Sequence, residues 1–328
     1  MEYNIYLKLT NGCQLKCEHC YNEIMMNHNH MKEDVLEDVL VWLKEFCNKH
    51  PNDDINVTLH GGEPTLYDLD KILYIIDSVN ETNIMWEITT NLVYELTDKH
   101  IQIFKKMHKS FIKTSWDYKI RFNEEQEELW FNNVRKLKSI GIEVQPIVCL
   151  TKQLIKDLNP NYIFDMFSNL GLKYFNFERI TSTGRADIND VRPNNSDLDK
   201  WLLDAFKIYE NTKFYIPLFS GVKEGIKGNL IGCRRRQCMR TVTTINPNGT
   251  ISSCPNMANI SYGTLKTIDE NKRKMLYNFE DNKNIGCLCC KYFKQCNGDC
   301  CQLQWDNTGC PGMLSIYKYL ELKNGISN

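Results

Sequence analysis

The chain has 328 residues, which is enough for one large domain plus a smaller one, with a substantial core. Its formal net charge is -1, so the overall charge gives no indication of nucleic acid or an acidic membrane surface as a partner. No apolar run is long enough to span a bilayer, and residues 1–3 lack the basic and apolar regions of a signal peptide. We therefore expect a cytoplasmic protein with no nucleic-acid partner and no membrane partner.

The fifteen cysteines are the main compositional feature. A reducing cytosol disfavours a disulfide scaffold, and a chain of this size does not need one. Three cysteines lie near the start, ten lie between Cys233 and Cys310, and only Cys47 and Cys149 lie between these two groups. Cys47 belongs to a helical apolar stripe and Cys149 to a strand, so both are expected in the core. The distribution predicts two metal-bearing regions separated by an ordinary fold.

From Tyr3 to about Ile180, strand-like and helix-like patterns alternate, which favours βα units and a parallel sheet. Apolar residues at helical spacing after Val35 predict the first helix. Six units in this length fall short of the roughly 250 residues of a complete eight-fold barrel. We therefore predict the α/β class, with a partial (β/α)6 TIM-like barrel. The predicted strands are Tyr3–Leu9, Ile55–Leu59, Ile84–Thr89, Phe111–Ser115, Ile142–Leu150 and Tyr174–Ile180.

The remainder of the chain predicts a small cysteine-rich C-terminal domain with a β-hairpin. A linker follows the sixth strand, a helix is predicted over Asn195–Tyr209, and Ile216–Gly232 has a loop-like composition. The hairpin is predicted from Thr241–Ile245 and Thr250–Ser253, joined by an Asn-Pro-Asn-Gly turn. We place the domain boundary between residues 215 and 216, giving domains 1–215 and 216–328.

Cys13, Cys17 and Cys20 have the spacing C-x3-C-x2-C on a short loop after the first strand. A loop this tight can bring three thiolates to one ion or cluster, but it offers no local fourth ligand. A closed zinc site would need another donor, whereas a 4Fe-4S cluster held by three cysteines leaves one iron open. From the triplet alone, a cluster, a zinc knuckle and a disulfide loop are all open alternatives.

Other polar motifs follow the ends of the predicted strands, where the functional loops of parallel βα folds gather. His60-Gly61-Gly62-Glu63-Pro64 follows the second strand, and its glycines permit positive φ and a close approach to a ligand. The motifs at the ends of the third, fourth and sixth strands are Thr89-Thr90-Asn91, Ser115-Trp116-Asp117 and Glu178-Arg179.

The cysteine triplet followed by Tyr21, together with Gly61-Gly62-Glu63-Pro64 one βα unit later, resembles the radical S-adenosylmethionine superfamily. The resemblance implies that the open iron is chelated by the methionyl group of S-adenosylmethionine. One electron from the cluster would then release a 5'-deoxyadenosyl radical that abstracts hydrogen. It also implies that Gly61, Gly62, Glu63 and Pro64 contact the amino group of this cosubstrate. The candidates for its ribose and carboxylate are Asn91, Ser115 and Asp117, and those for its adenine are the backbone around Tyr21 and Val148.

The C-terminal cysteines resemble the SPASM extension of the same superfamily almost position for position. The resemblance implies two auxiliary 4Fe-4S clusters, so that the chain would hold three clusters in all. The gap before Cys310 is shorter than the family's usual one, which makes this ligand the least secure. Two ribbon-type zinc sites are the alternative, and we expect Cys289 and Cys301 to be spectators. The implied ligand sets are Cys233, Cys238, Cys254 and Cys300 for one cluster, and Cys287, Cys290, Cys296 and Cys310 for the other.

The SPASM branch implies a radical enzyme that oxidises, crosslinks or epimerises a ribosomally made peptide or a protein. Pro255 stands where sulfatase-activating members carry an aspartate, which argues against formylglycine formation. A small-molecule radical dehydrogenase and a non-enzymatic cluster or zinc protein are the alternatives. The implied partners are a peptide or protein substrate, an electron donor such as flavodoxin or ferredoxin, and a separate leader-peptide-binding protein. Glu178, Arg179 and Arg185 are candidate catalytic residues because of their place at the barrel mouth.

The basic run Arg234-Arg235-Arg236, with Arg240 close behind, lies within the cysteine array. A binding site for an acidic peptide or a carboxylate is one interpretation, because guanidinium groups recognise carboxylates with paired hydrogen bonds. We expect the simpler one, a solvated face.

Overall fold

A computed structural model describes residues 1–22 and 29–324, and its strands form one nine-stranded sheet in the order β6-β5-β4-β3-β2-β1-β7-β8-β9. Strands β1 to β6 pair in parallel with their neighbours, so the partial barrel predicted from the alternating pattern is confirmed. The strands are β1 Glu2–Thr10, β2 Asp54–Gly61, β3 Ile84–Thr90, β4 Phe111–Ser115, β5 Glu143–Leu150, β6 Asn176–Arg179, β7 Val242–Ile245, β8 Thr250–Ser252 and β9 Gly263–Thr264.

The helices cover the outer face of the sheet and the C-terminal region. Their bounds are α1 Glu33–Lys49, α2 Leu69–Ser78, α3 Asp98–Lys106, α4 Glu124–Ser139, α5 Lys152–Asp157, α6 Pro160–Asn169, α7 Arg185–Ile188, α8 Asn195–Tyr209, α9 Pro217–Ile226, α10 Cys238–Thr241, α11 Glu270–Asp281, α12 Ile285–Leu288, α13 Phe293–Cys296 and α14 Leu314–Asn324.

Helix α1 shows how the sequence pattern produces the packing. Leu36, Val39, Leu40 and Leu43 recur at helical spacing and are all buried against the sheet. Cys47 lies on the same stripe and is 3% exposed, so its predicted place in the core is confirmed. The predicted helix over Asn195–Tyr209 is also confirmed as α8.

The expectation of a loop over Ile216–Gly232 is wrong for most of that segment, because α9 occupies Pro217–Ile226. Pro217 begins this helix, where its missing N–H is not needed. Phe219, Val222 and two glycines, Gly221 and Gly225, form its buried face. The glycines gave the segment its loop-like composition, whereas in the structure they let neighbouring groups approach the helix closely.

The C-terminal hairpin joins the sheet of the barrel. Strand β7 pairs with β1 in parallel, with Leu7 opposite Ile245, and β7 then pairs with β8 in an antiparallel hairpin. Gly249 takes a φ of +78° in the connecting turn. The two predicted domains therefore share one sheet, and the first C-terminal cysteines lie beside β1, the strand that leads into the cysteine triplet.

Strand β6 is shorter than predicted, since Tyr174 forms only an isolated bridge to Tyr215. Within the described ranges, no helix is long and apolar enough to cross a membrane.

Candidate active site and cysteine-rich centres

The loop after β1 carries Cys13, Cys17 and Cys20. The Cys17 carbonyl accepts from the Cys20 backbone N–H at 3.2 Å, and the Leu15 N–H donates to Cys13 Sγ at 3.4 Å. Burial raises the pKa of Cys13 to about 12 and also raises that of Cys17, so both thiols stay protonated until a metal displaces the proton. None of the fifteen cysteines, all of which lie in the described residues, forms a disulfide.

The Gly-Gly-Glu-Pro segment packs directly on this loop. Gly61 has a φ of +140°, and a Cβ there would lie 2.1 Å from the Thr10 carbonyl oxygen. A Cβ at Gly62 would lie 2.1 Å from the Gly12 carbonyl oxygen. The Gly62 and Glu63 N–H groups donate to these same two carbonyls at 2.8 Å. Only glycine permits this approach, so the two motifs form one continuous surface.

The carboxylate of Glu63 is 1% exposed and accepts four hydrogen bonds from the chain. Thr65 donates from its N–H and its hydroxyl, at 3.2 and 2.8 Å, while the Thr90 hydroxyl and the Asn91 N–H both donate at 2.7 Å. Burial raises its pKa, and these hydrogen bonds act in the opposite direction. The acceptor positions of a carboxylate number about four, so this side chain ties the end of β2 to the end of β3.

Asn91 thereby comes to lie beside the cysteine loop. Its Nδ2 lies 3.9 Å from Cys13 Sγ, and its Oδ1 accepts from Gln14 Nε2 at 3.0 Å and from the Val93 N–H at 2.8 Å. The structure thus places Asn91, proposed from the end of the third strand, next to Cys13, the first cysteine of the triplet.

Asp117 is 2% exposed and holds the other side of the cysteine loop. Its Oδ2 pairs with Arg121 Nε at 2.5 Å and lies 3.3 Å from Nε2 of His19, and its Oδ1 accepts from the Cys149 N–H at 2.6 Å. Burial opposes ionisation, but the Arg121 guanidinium and His19 hold the pKa of Asp117 well below its usual range. Since His19 stands between Cys17 and Cys20, Asp117 acts as an anchor for that loop.

Ser115 and Val148 occupy neighbouring strands. Ser115 is half-buried at the end of β4, where it pairs in register with Ile147. Val148 is fully buried on β5, so that its backbone is the part left for contact with a ligand. Both therefore lie at the edge of the sheet that carries the cysteine loop.

Tyr21 lies in the barrel interior with two basic residues that sequence reasoning missed. Its hydroxyl is 3.1 Å from His60 Nε2, and Nζ of Lys8 lies 5.6 Å from the centroid of its ring. Lys8 is fully buried and donates to Asn22 Oδ1 at 2.6 Å. Burial lowers the pKa of Lys8 to about 8 and that of His60 to about 3. The signal that the sequence offered was position in the strand. Lys8 of β1 and His60 of β2 pair in register near the C-terminal ends of their strands, on the face that points to the interior.

The linker after β6 contains Gly184-Arg185-Ala186, which contacts Cys20, the last cysteine of the loop. Gly184 has a φ of +61°, and a Cβ there would lie 2.3 Å from the Cys20 carbonyl oxygen and 2.7 Å from Cα of Tyr21. The Arg185 N–H donates to that same Cys20 carbonyl at 3.0 Å. The linker after β6 thus becomes part of the site.

The two residues at the end of β6 point to different surroundings. The Glu178 side chain is exposed at the surface, yet the protein around it displaces enough water to raise its pKa to about 7, against the effect of Arg179. Arg179 forms a paired ion pair with Asp299, with both N–O distances 2.9 Å, and donates to the Pro311 carbonyl at 3.2 Å. Its guanidinium is therefore held by the C-terminal region.

The first predicted C-terminal cysteine set is brought together. The Cys233 thiol lies within hydrogen-bonding reach of Cys238 and Cys300. Cys254 is also close to Cys238 and Cys300, which contribute to raising its pKa after the larger effect of burial. Hydrogen bonds from Cys233 and Cys301 lower the pKa of Cys300. Cys301, expected to be a spectator, therefore touches the set.

The second predicted set is also brought together. Cys310 has Cys287 and Cys290 as close neighbours, and Cys296 has Cys310. A Cβ at Gly312 would lie 3.2 Å from Cys310 Sγ and 3.4 Å from Cys296 Sγ, so the absence of a side chain there leaves room beside the sulfurs. Cys289 is exposed.

Each of these two sets offers four sulfur donors, and the triplet offers three, which fits tetrahedral metal centres and iron–sulfur clusters. A side chain at position 312 would crowd two of these sulfurs, and Gly312 avoids this. The residues present therefore fit the clusters that the sequence resemblance implies.

The expectation of a solvated face for the basic run is wrong for two of its members. Arg234 is 4% exposed and Arg236 is 7% exposed. Arg235 pairs with Glu2 at 2.5 Å, and only Arg240 is exposed, where it pairs with Asp281 at 3.0 Å. Periodicity could not reveal this, because the run lies in short irregular turns.

Comparison with known proteins gives concordant results. Residues 7–159 match the Radical SAM superfamily model. Glutamate 2,3-aminomutase of Clostridioides difficile is 21% identical over 196 residues, covering 52% of this chain and 44% of that protein, so the match spans less than half of the relative's length.

Two solved structures share the fold over most of this chain. One is native anSMEcpe with bound AdoMet and Kp18Cys peptide, with a TM-score of 0.79 at 18% identity, covering 99% of this chain and 100% of that one. The other is Streptococcus suis SuiB bound to precursor peptide SuiA, with a TM-score of 0.63 at 17% identity, covering 92% and 72%. Residues 7–159 therefore form a Radical SAM domain, and the two solved structures show that nearly the whole chain shares their fold.

Proposed function

We propose that the chain is a radical S-adenosylmethionine enzyme of the SPASM branch that modifies a ribosomally made peptide or a protein by oxidation, crosslinking or epimerisation. The observation that carries the proposal is the contact between the cysteine loop and Gly61-Gly62, where neither glycine has room for a Cβ. A protein that only stored metal would have no need of this surface. The fold shared with two solved proteins that bind peptides supports a peptide substrate.

Cys13, Cys17 and Cys20 would hold the first cluster, which when bound supplies the electron that splits S-adenosylmethionine into methionine and a 5'-deoxyadenosyl radical. The backbone of Gly61 and Gly62 would bind the amino group of the methionyl part of the intact cosubstrate. Asn91 would orient the cosubstrate from its position beside Cys13. We assign Glu63 and Asp117 to positioning, since their carboxylates already bind the chain's own donors.

Ser115 and the backbone around Tyr21 and Val148 would contact the ribose and adenine. Glu178 is the side chain best placed to take a proton from the substrate, because it stands in the barrel mouth and its pKa of about 7 allows both protonation states near neutral pH. Arg185 would lie at the substrate side of Cys20. Arg179 would act through Asp299 as a positioning residue.

The two C-terminal sets would hold auxiliary 4Fe-4S clusters, in domain 216–328, whose last four residues lie outside the described part of the chain. Domain 1–215 would hold the radical-generating site. An electron donor such as flavodoxin or ferredoxin and a separate leader-peptide-binding protein would complete the system.

The test is anaerobic reconstitution with iron and sulfide, followed by S-adenosylmethionine and a reductant. We expect about twelve iron atoms per chain, as three 4Fe-4S clusters require, and formation of 5'-deoxyadenosine. The Cys13→Ala, Cys17→Ala, Cys20→Ala triple variant should lose the nucleoside, while Cys47→Ala, a core cysteine, should retain it. Zinc in place of iron, with no nucleoside, would refute the proposal.

The peptide half of the proposal needs its own experiment. Precursor peptides encoded beside the gene are incubated with the reconstituted enzyme, with deuterium at the carbon positions of the candidate residue. Transfer of deuterium into 5'-deoxyadenosine together with a mass change of the peptide is the expected result. Nucleoside without label from any peptide, but with label from a small alcohol, would favour a small-molecule dehydrogenase instead.

A further inference from the structure

Arg234 is an arginine enclosed by the C-terminal region. It is 4% exposed and directly follows Cys233. A Cβ at Gly221 of α9 would lie 2.5 Å from Arg234 Nη1, so the glycine provides the space for the guanidinium. The hydroxyl of Tyr317 on α14 is a further neighbour. The side chain is therefore fixed by packing.

Two nitrogen atoms of this guanidinium donate no hydrogen bond within the described residues, while the Tyr317 hydroxyl is a hydrogen-bond neighbour of the group. Nε and Nη2 of Arg234 have no hydrogen-bond acceptor among the described residues, although Nη2 lies 3.4 Å from Asp299 Oδ2 as an ion pair. Arg236, in the same run, differs: it donates to the carbonyls of Glu280, Asn282 and Asp299. Leaving buried donors of a charged group unpaired is costly, so an acceptor outside the protein's own atoms is indicated.

Arg234 shares its ion-pair partner with a second arginine. Asp299 pairs with Arg179 at 2.9 Å and with Arg234 at 3.4 Å, and Glu178 is a further charged neighbour of Arg179. Asp299 directly precedes Cys300, which belongs to the first C-terminal cysteine set. A buried positive charge is stabilised by an anionic neighbour.

The second cysteine set lies close to this charge. Asp299, which lies 3.4 Å from Arg234 Nη2, donates its backbone N–H to the Cys296 carbonyl at 2.9 Å. Arg179 also donates to the carbonyl of Pro311, the residue after Cys310. The Asn297 side chain donates to the Arg234 carbonyl at 2.9 Å, which joins Arg234 to the turn after Cys296.

We propose that Arg234 is a positioning and redox-tuning residue of the second set, whose free N–H groups donate to sulfur atoms of the cluster held by Cys287, Cys290, Cys296 and Cys310. Hydrogen bonds to sulfur and nearby positive charge both favour the reduced form of an iron–sulfur cluster. The inference rests on the proposed function, in that it requires iron and sulfide at this set.

The test uses the chain with Cys13, Cys17 and Cys20 all changed to Ala, so that only the two auxiliary clusters remain. Arg234→Met is compared with Arg235→Gln, which removes a charge from the partly exposed member of the same run. Iron content, midpoint potentials by anaerobic titration, and exchangeable-proton couplings by pulsed electron–nuclear double resonance are measured. We expect about eight iron atoms in both. In Arg234→Met, one of the two potentials becomes more negative and an exchangeable coupling disappears, while Arg235→Gln changes neither.

Retained iron with unchanged potentials and couplings in Arg234→Met would overturn the role of Arg234 while leaving the proposed function intact. If Arg234→Met fails to fold or to bind iron, Arg234→Lys decides, since it keeps the charge but loses the planar fork. An altered exchangeable coupling in Arg234→Lys supports the inference, and an unaltered one overturns it. Zinc in the unsubstituted chain would overturn both this inference and the proposed function.

Discussion

The ion pair of Arg179 and Asp299 should couple the barrel to the C-terminal cysteines. Both partners are buried, at 8% and 1% exposure, and two parallel hydrogen bonds of 2.9 Å join them. Asp299→Asn leaves the guanidinium groups of Arg179 and Arg234 without a counter-charge, so we expect a loss of about 3–5 kcal/mol in the free energy of unfolding. Arg179→Met costs less, because Asp299 retains Arg234 at 3.4 Å.

The assay is denaturant unfolding of the metal-free chain at pH 7 for both single variants and the double variant. We expect a coupling energy of about 1–3 kcal/mol. The pair Lys152 and Asp190, which is largely exposed, provides the matched control with a coupling close to zero. Single-variant losses that add within about 0.5 kcal/mol in the double variant would refute the reasoning.

The same pair gives the direction of a pH effect. The Arg179 guanidinium outweighs burial and holds the pKa of Asp299 well below its usual range. The folded chain thus resists protonation at pH values where the unfolded chain, with an ordinary pKa of about 3.9, takes up a proton. The contribution of the ion pair to the free energy of unfolding is therefore complete at pH values above about 3.9, the pKa of the unfolded chain, and is lost as the pH falls below that value toward the folded pKa. Asp299→Asn should flatten this part of the curve.

Three further predictions concern the candidate active site. Gly184→Ala should reduce the iron bound by the cysteine triplet, because its Cβ would lie 2.3 Å from the Cys20 carbonyl oxygen. Gly171→Ala is the control, since this glycine also has a positive φ but has free space around it. We expect it to change stability by about 1–3 kcal/mol and to leave the iron content intact. Glu63→Gln should lower the free energy of unfolding by about 2 kcal/mol and weaken S-adenosylmethionine binding measured by calorimetry. Thr90 and Asn91 donate to different oxygens of Glu63, and the amide keeps only one oxygen, so one of these acceptors is lost. Equal binding in the variant and the parent would contradict this. Peptide product formation should rise with pH through about 7 as Glu178 loses its proton, and Glu178→Gln should abolish that rise while 5'-deoxyadenosine still forms; an unchanged pH profile would exclude Glu178 as the base.

The local sequence pattern was enough to predict helices and strands that bury one face in the core. Alternation predicted six parallel strands, and helical spacing predicted α1 and α8, because burial of one face imposes a period on the sequence. Cysteine spacing predicted that the triplet could meet at one place, since its loop is short, whereas the grouping of the C-terminal cysteines came from the resemblance. Resemblance to known motifs, rather than physical pattern, supplied the cosubstrate and the reaction.

Tertiary structure alone decided the contacts between distant segments. The segment of α9 has a loop-like composition, but its glycines leave space that neighbouring groups occupy, as Arg234 does beside Gly221. The Glu63 carboxylate looked available for a ligand, but Thr90 and Asn91, 27 and 28 residues further on, bind it. Arg234 looked like part of a solvated surface because a run of charge has no periodicity that records burial. By itself, then, the sequence determined the helices and strands through local periodicity. Hydrogen-bond partners and burial of charge depend on which segments pack together, and only the folded chain determines that.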